Sequence, residues 1–200
     1  MDAVRVALLR EVLAGTEWLG ATRRFAGTLR GSVVAHGGGL LLVGTPAYEP
    51  WHLAAHLVDE AAWSGTPELA PTLVRHHARP SDPAHLAVGP GRIEAARRGE
   101  TLLVVAPEEP AELLERVHGA RRAGVKVLAL GAGGGELAAM AHDTLAVPEG
   151  AELDLDSVQH LVSAAAGENG SGGSPRGRRG FRDRLSRLAE ILTAPPAAPW

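Results

Sequence analysis

Residues 40–60, LLLVGTPAYEPWHLAAHLVDE, contain a short strand, a turn and the start of a helix. Every position from Leu40 to Val43 is apolar, which is typical of a parallel strand covered on both faces. Gly44 begins the turn, and Pro50 suits the first turn of the helix that follows. Ligands of open parallel sheets bind at the carboxyl ends of strands, beside the N–H groups of the next helix. This stretch therefore predicts a parallel sheet and the position of any ligand site.

Strand and helix patterns alternate through the rest of the chain, and this alternation predicts an α/β fold with a doubly wound parallel sheet of about five strands, covered on both faces. Two helical segments precede the first strand. Glycine-rich residues 131–135 are interpreted as a strand-to-helix turn, which is favoured over a dinucleotide-binding fingerprint because they come late in the chain. The further predicted strands are 72–75, 101–105, 125–130 and 144–147, and the predicted helices are 2–19, 21–34, 50–63, 93–98, 110–124, 136–141 and 154–166.

Composition excludes several classes of function. The 200 residues are 45% hydrophobic, enough for one domain with a sizeable core, and the formal net charge of -3 argues against nucleic acid as a partner. The chain has no cysteine, so disulfides, thiolate metal sites and a cysteine nucleophile are excluded. The N-terminus has neither a signal-peptide layout nor a membrane-spanning run, and we therefore expect a cytoplasmic protein.

The composition changes abruptly after residue 167, which divides the chain into a predicted α/β domain (1–167), a flexible Gly/Ser/Arg linker (168–180) and a C-terminal segment (181–200). Phe181, Leu185, Leu188 and Leu192 form one stripe of an amphipathic helix before the proline-rich end. Residues 181–193 could dock in a protein partner or pack on the chain's own oligomer, and both are favoured over an anionic membrane surface.

The segments GLLLVGT, HLAAHL, GETLLVV, AGVKVLALGAGGGELAAMAHDTLAVP and VQHL, in this order after two leading helices, resemble the sugar isomerase (SIS) domain and, within it, the phosphoheptose isomerase subgroup. The resemblance covers about residues 1–167. It implies a three-layer, flavodoxin-like fold whose N-terminal helices pack in dimers or tetramers. It also implies active sites between subunits that act on sugar phosphates.

Two loops depart from the family pattern. Residues 44–48, GTPAY, replace a GNGGS-type loop and are about two residues shorter. Residues 106–110, APEEP, replace an STSGNS-type phosphate cradle, so that carboxylates and prolines stand where small hydroxyl and amide donors would bind phosphate. We therefore expect a divergent, non-catalytic SIS-like module with a ligand-binding or regulatory role in a homo-oligomer. Its expected small-molecule site is formed by Gly44, Thr45, His52, Glu108 and Glu109.

The alternative is a sugar-phosphate aldose–ketose isomerase with an altered acid/base set. The resemblance places His56 where the family has its acid/base Glu, while His160 matches the family's His. An imidazole titrates near neutral pH and can shuttle a proton between two sugar carbons, with Glu60 as a further candidate.

The four-residue spacing of His52, His56 and Glu60 places these side chains on one face of a helix. With His160 from the last helix, His52 and His56 could form a three-histidine Zn²⁺ site. The other interpretation is that these histidines are polar residues at a subunit interface. The pair Glu108 and Glu109 is likewise either a solvated acidic helix start or a cleft converted to hold a cation, an amine or an arginine.

Overall fold

The computed structural model describes residues 3–147 and 153–168. In the described residues, two leading helices are followed by five β-strands that alternate with five further α-helices, and short 3₁₀ turns lie on both sides of β2. The elements are α1 (Ala3–Val12), α2 (Glu17–His36), β1 (Leu40–Val43), α3 (Trp51–Ser64), β2 (Pro71–Val74), α4 (Gly91–Glu94), β3 (Thr101–Ala106), α5 (Ala111–Arg122), β4 (Lys126–Gly131), α6 (Glu136–Met140), β5 (Asp143–Ala146) and α7 (Leu155–Gly167).

The five strands form one parallel sheet in the order β2-β1-β3-β4-β5. The first strand is central: Leu40 pairs with both Pro71 of β2 and Thr101 of β3. The direction of winding reverses between β1 and β3, and ligands of such sheets bind in the crevice beyond the carboxyl ends of the strands at this point. The sheet order therefore directs attention to the loops after Val43 and Ala106.

Alternate residues of β1 face two separate cores. Leu40 and Leu42 pack with α2, α3 and α7 on one side of the sheet, whereas Leu41 and Val43 pack with α4, α5 and α6 on the other. All four side chains are at most 2% exposed, so every position of this strand must be apolar. The predicted three-layer, doubly wound α/β fold is confirmed.

The structure corrects one prediction of secondary structure. A single helix over residues 2–19 is wrong: α1 ends at Val12, and α2 begins at Glu17. Gly15 has a φ of +86°, a left-handed conformation that glycine adopts readily and that ends a helix. The N–H of Thr16 donates to the carbonyl of Leu13, which closes the turn.

The predicted linker beyond Glu168 and the predicted helix of residues 181–200 lie outside the described residues. Within the described ranges, none of the helices combines the length and the apolar character needed to cross a bilayer.

Candidate functional site at the carboxyl edge of the sheet

The first turn of α7 is fastened to the loop that follows β1. In this loop the hydroxyl of Tyr48 donates a 2.6 Å hydrogen bond to Oδ1 of Asp156 and accepts one of 2.6 Å from Nε2 of Gln159. Burial and the neighbouring Asp156 carboxylate raise the pKa of Tyr48 to about 12, so the hydroxyl keeps its proton at neutral pH. The carboxyl edge of the sheet and the N-terminal half of α7 are thereby held together.

Three imidazoles meet where α3 packs against α7. The ring centroids of His52, His56 and His160 are 4.6–4.7 Å apart in all three pairs. Each ring offers a nitrogen, and these nitrogens all lie within 4.8 Å of one another. His52 is exposed, while His56 and His160 are 7% and 3% exposed. We call these three residues the histidine cluster; it has one solvent-facing member and two buried ones.

His56 is held in its neutral form. Burial, followed by the proximity of His160 and His52, lowers its pKa to about 4. Neither ring nitrogen of His56 has a hydrogen-bond partner among the described residues. A buried, neutral imidazole with an available lone pair is suited to accept a proton or to bind a transition-metal ion.

Glu60 lies one helical turn beyond His56 and is completely buried. Its carboxylate is packed against the backbone of Gly167 so closely that a Cβ added at position 167 would overlap it. Its oxygens are not part of the group of possible metal ligands that the nitrogens of His52, His56 and His160 form. Of the proposed acid/base residues, the structure therefore pairs His56 with His160, while Glu60 faces the C-terminal end of α7.

A second feature of the edge is that its backbone N–H groups already bind carboxylates of the chain. Glu49, in the loop after β1, accepts hydrogen bonds from the N–H groups of His76 (3.0 Å) and His77 (3.4 Å), which follow β2. The same carboxylate accepts bonds from Nε1 of Trp51 (3.0 Å) and Nε of Arg75 (3.3 Å). An anion approaching the carboxyl end of β2 would have to displace this side chain.

Glu109, in the loop after β3, binds a backbone N–H beyond the end of β4 in the same way. Its carboxylate accepts the N–H of Leu137 at 3.2 Å, in the first turn of α6. It lies directly over Gly135, where an added Cβ would overlap it. The turn before α6 contains Gly133 and Gly134 with φ of +76° and +74°, in agreement with the predicted strand-to-helix turn.

Glu108 is exposed and faces the loop after β1 across the β1/β3 junction. The hydroxyl of Thr45 is 3.4 Å from its Oε1, a long hydrogen bond. Gly44, before Thr45, is in close contact with the Tyr48 carbonyl. Of the predicted ligand-binding residues, Thr45 is completely buried, Glu109 is engaged with α6, and Glu108 is exposed at the carboxyl edge.

Sequence reasoning missed Tyr48 and Glu49, which fasten the loop to α7 and to the end of β2. Tyr48 meets Asp156 across 108 positions, and Glu49 meets His76 across 27. Neither residue belongs to a periodic pattern. The one available signal was their position in a loop that follows a buried strand.

Comparisons with known proteins give the fold its family context. No family model matches the sequence, and no curated protein matches it. Among solved structures, the chain is similar to a Salmonella typhimurium protein assigned as sugar-binding (TM-score 0.54, 13% identity, covering 96% of this chain and 55% of that one). It is also similar to a Silicibacter pomeroyi protein assigned as a phosphosugar isomerase (TM-score 0.51, 18% identity, 96% and 54%).

A third similar structure is the NanR protein of Vibrio vulnificus complexed with ManNAc-6P (TM-score 0.50, 13% identity, covering 86% of this chain and 62% of that one). The chain therefore spans between 54% and 62% of the length of these three proteins. At such low identity the comparison establishes the fold.

Proposed function

Given that this chain has the fold of a sugar isomerase (SIS) domain, we propose that it is a ligand-binding or regulatory module that takes a neutral or amino-bearing sugar derivative and not a sugar phosphate. The observation that carries the proposal is the occupation of backbone N–H groups at the carboxyl edge of the sheet by Glu49 and Glu109. Backbone N–H groups at such positions are common ligands of phosphate groups.

Charge supports the same conclusion. The carboxylate of Glu108 is exposed beside Thr45, and Glu109 follows it in the chain. Two like charges 4 Å apart repel by about 1 kcal/mol in water and about 4 kcal/mol near a protein surface. A phosphate dianion in this cleft would meet that repulsion, whereas an ammonium group would be attracted and a hydroxyl could donate a hydrogen bond.

The ligand class can be tested with a panel of sugars, each measured as the neutral sugar, the amino sugar and the phosphate ester. We expect amino sugars or neutral sugars to raise the melting temperature, since a ligand at 100 times its Kd stabilises the folded state by about 2.7 kcal/mol. The phosphate esters should bind more weakly than their unphosphorylated parents. Isothermal titration of the best pair gives the ratio of dissociation constants.

A pair of matched variants tests whether Glu108 causes the preference for amino sugars. Glu108→Gln should reduce the preference for the amino sugar, and Glu112→Gln, an 86% exposed carboxylate on α5, should leave it unchanged. Tighter binding of a phosphate ester than of its parent sugar would refute the proposed selectivity, and a panel without any stabilising member would refute a sugar ligand.

The histidine cluster favours a second candidate, a metal-assisted aldose–ketose isomerase. Three imidazoles with one exposed member match a zinc site that keeps a position open for substrate. The buried nitrogens of His56, without a hydrogen-bond partner in the described part of the chain, fit this use. His52, His56 and His160 would hold the ion, which would polarise the sugar carbonyl as a Lewis acid. An imidazole that binds the ion has no lone pair left to accept a proton. In a metal-free form of this candidate, neutral His56 and the adjacent His160 would instead move the proton between two sugar carbons, with Glu60 behind them.

Zinc binding is tested on protein purified without a polyhistidine tag. We expect one zinc ion per chain and a higher melting temperature on adding Zn²⁺, because an ion that binds only the folded state stabilises it. His52→Ala removes an exposed ligand at little cost to folding and should weaken zinc binding, while His85→Ala, exposed and distant in sequence, should not. Zinc content well below one per chain in the wild type would exclude the site, and an isomerase assay at background with zinc bound would exclude the enzyme.

A further inference from the structure

Trp51, the first residue of α3, exposes a large apolar side chain at the carboxyl edge of the sheet. It is 40% exposed, although the loop before it and the residue after β2 both contact its ring. A tryptophan in water forgoes the stabilisation that burial of its large apolar surface would give. Packing of the domain therefore does not account for an exposed indole at this position.

The Trp51 ring is fixed from two sides. The guanidinium carbon of Arg75 lies 4.6 Å from the ring centroid, over one face, and Nε1 of the indole donates a 3.0 Å hydrogen bond to Glu49. Arg75 is itself held by two carboxylates, since its Nε donates to Glu49 at 3.3 Å and its Nη1 to Asp82 at 2.7 Å. A ring that is already immobilised loses little conformational entropy when a ligand stacks on it.

The accessible part of the ring faces the ligand edge. Because Arg75 covers one face and Glu49 binds the N–H edge, the exposed surface of Trp51 belongs mainly to the opposite face and the outer edge of the indole. Strands β2 and β3 lie on either side of β1, so their ends are about 10 Å apart. A substituted sugar is long enough to contact both Trp51, beside the end of β2, and Glu108, beyond the end of β3.

An indole face and a pyranose ring are complementary. The C–H groups on one side of a sugar ring form a flat, weakly positive apolar surface, and the face of an aromatic ring is negative. The hydroxyl groups point outward around the sugar ring and keep their hydrogen bonds while the ring stacks. An open-chain sugar derivative has no such fixed face, so stacking favours the closed ring.

We propose that Trp51 is a stacking platform for the closed pyranose ring of an amino sugar and makes the site select cyclic over open-chain derivatives. The inference rests on the proposed sugar-binding function and adds the residue that contacts the ring and the form in which the sugar binds. Arg75 supports the rear face of the indole, and the sugar approaches the opposite one. The exposed carboxylate of Glu108 attracts the ammonium group.

Two sets of ligands with the same amine test the selectivity. The first set is the methyl glycosides of glucosamine, galactosamine and mannosamine, whose rings cannot open, and the second is the three corresponding amino alditols, which have no ring. Isothermal titration of the full-length protein should give a dissociation constant about 10-fold higher for the alditol of the best pair, as expected for the loss of one stacking contact. This comparison needs only the wild type.

Variants assign the selectivity to one ring. Trp51→Ala should weaken binding of the glycoside by about 10-fold and bring the dissociation constants of the two ligands close together. Trp51→Phe keeps an aromatic face and should retain most of the selectivity. Trp63→Ala removes an indole that is 51% exposed at the other end of α3, and it should leave both dissociation constants unchanged.

The outcomes separate this inference from the proposed function. Equal affinity of the wild type for glycoside and alditol, or unchanged glycoside binding in Trp51→Ala, would refute the stacking platform and leave sugar binding in place. A change in oligomer size in Trp51→Ala would identify the ring as a subunit contact and overturn the inference as well. Absence of binding by all six ligands would also refute it, whereas the proposed function fails only if the neutral sugars fail too.

Discussion

Replacing Gly44 by alanine is expected to lower the free energy of unfolding by about 3 kcal/mol, the upper range for inserting a methyl group where packing is complete. A Cβ at this position would overlap the backbone carbonyl oxygen of Tyr48 and lie 2.7 Å from Cδ of Pro50. The carbonyl cannot withdraw easily, because it accepts the N–H of Thr45 at 2.8 Å. Urea unfolding measures the change.

Gly31→Ala is the matched control. Gly31 lies within α2, and a Cβ added there would have no neighbour within 4 Å. Alanine should stabilise this helix by about 0.5–1 kcal/mol, because glycine is the poorer helix former. Equal changes in the free energy of unfolding for the two substitutions would contradict the close packing of Gly44 against the Tyr48 carbonyl. Gly44→Ala should also weaken ligand binding, since the loop carries Thr45 and Tyr48.

Acidification from pH 6.5 to pH 4 is expected to destabilise the protein through His56 by about 3 kcal/mol, since one pKa unit corresponds to 1.36 kcal/mol. Burial and the neighbouring histidines lower the pKa of His56 from 6.5 to about 4. In this window the unfolded chain therefore binds more protons than the folded one, and stability falls as the pH falls. Above pH 6.5 the contribution is fully present.

Denaturant unfolding at several pH values measures this slope. His56→Gln should show a shallower loss of stability between pH 6.5 and pH 4 than the wild type, whereas His85→Gln should match the wild type because His85 is exposed. If the free energy of unfolding of the wild type and of His56→Gln fell equally between pH 6.5 and pH 4, protonation of His56 would not be the cause of the loss. Saturating Zn²⁺ should steepen the wild-type slope further, because ligands must be deprotonated to bind the ion.

The fold was predictable because its strands are buried on both faces. Leu40–Val43 and Thr101–Ala106 carry uninterrupted apolar runs, and glycines or prolines mark the turns beside them. The helix 2–19 was the exception, since apolar spacing continues through Gly15 and a single glycine is a weak signal within a helical pattern.

The candidate site was predictable only where residues share an element. The four-residue spacing placed His52 and His56 on one helix face, and the family resemblance added His160. The positions of Glu49 and Glu109 depend on loop conformations and on which N–H groups face the edge, so the sequence did not indicate that these carboxylates bind to the backbone. Whether the cleft binds a sugar, and whether the cluster binds zinc, remain predictions.

The binding of Glu49 and Glu109 to the backbone has a consequence for how the specificity of this fold can change. Each side chain occupies N–H groups through its carboxylate alone, while the strand register and both cores are built from other residues. The proposed selectivity against anions would therefore be encoded in a few loop positions, outside the strands and both cores. Exchanging Glu49 and Glu109 for serine would leave the N–H groups of His76 and Leu137 available to an anionic ligand. Under this proposal, a few substitutions would therefore separate the chain from one that binds anions.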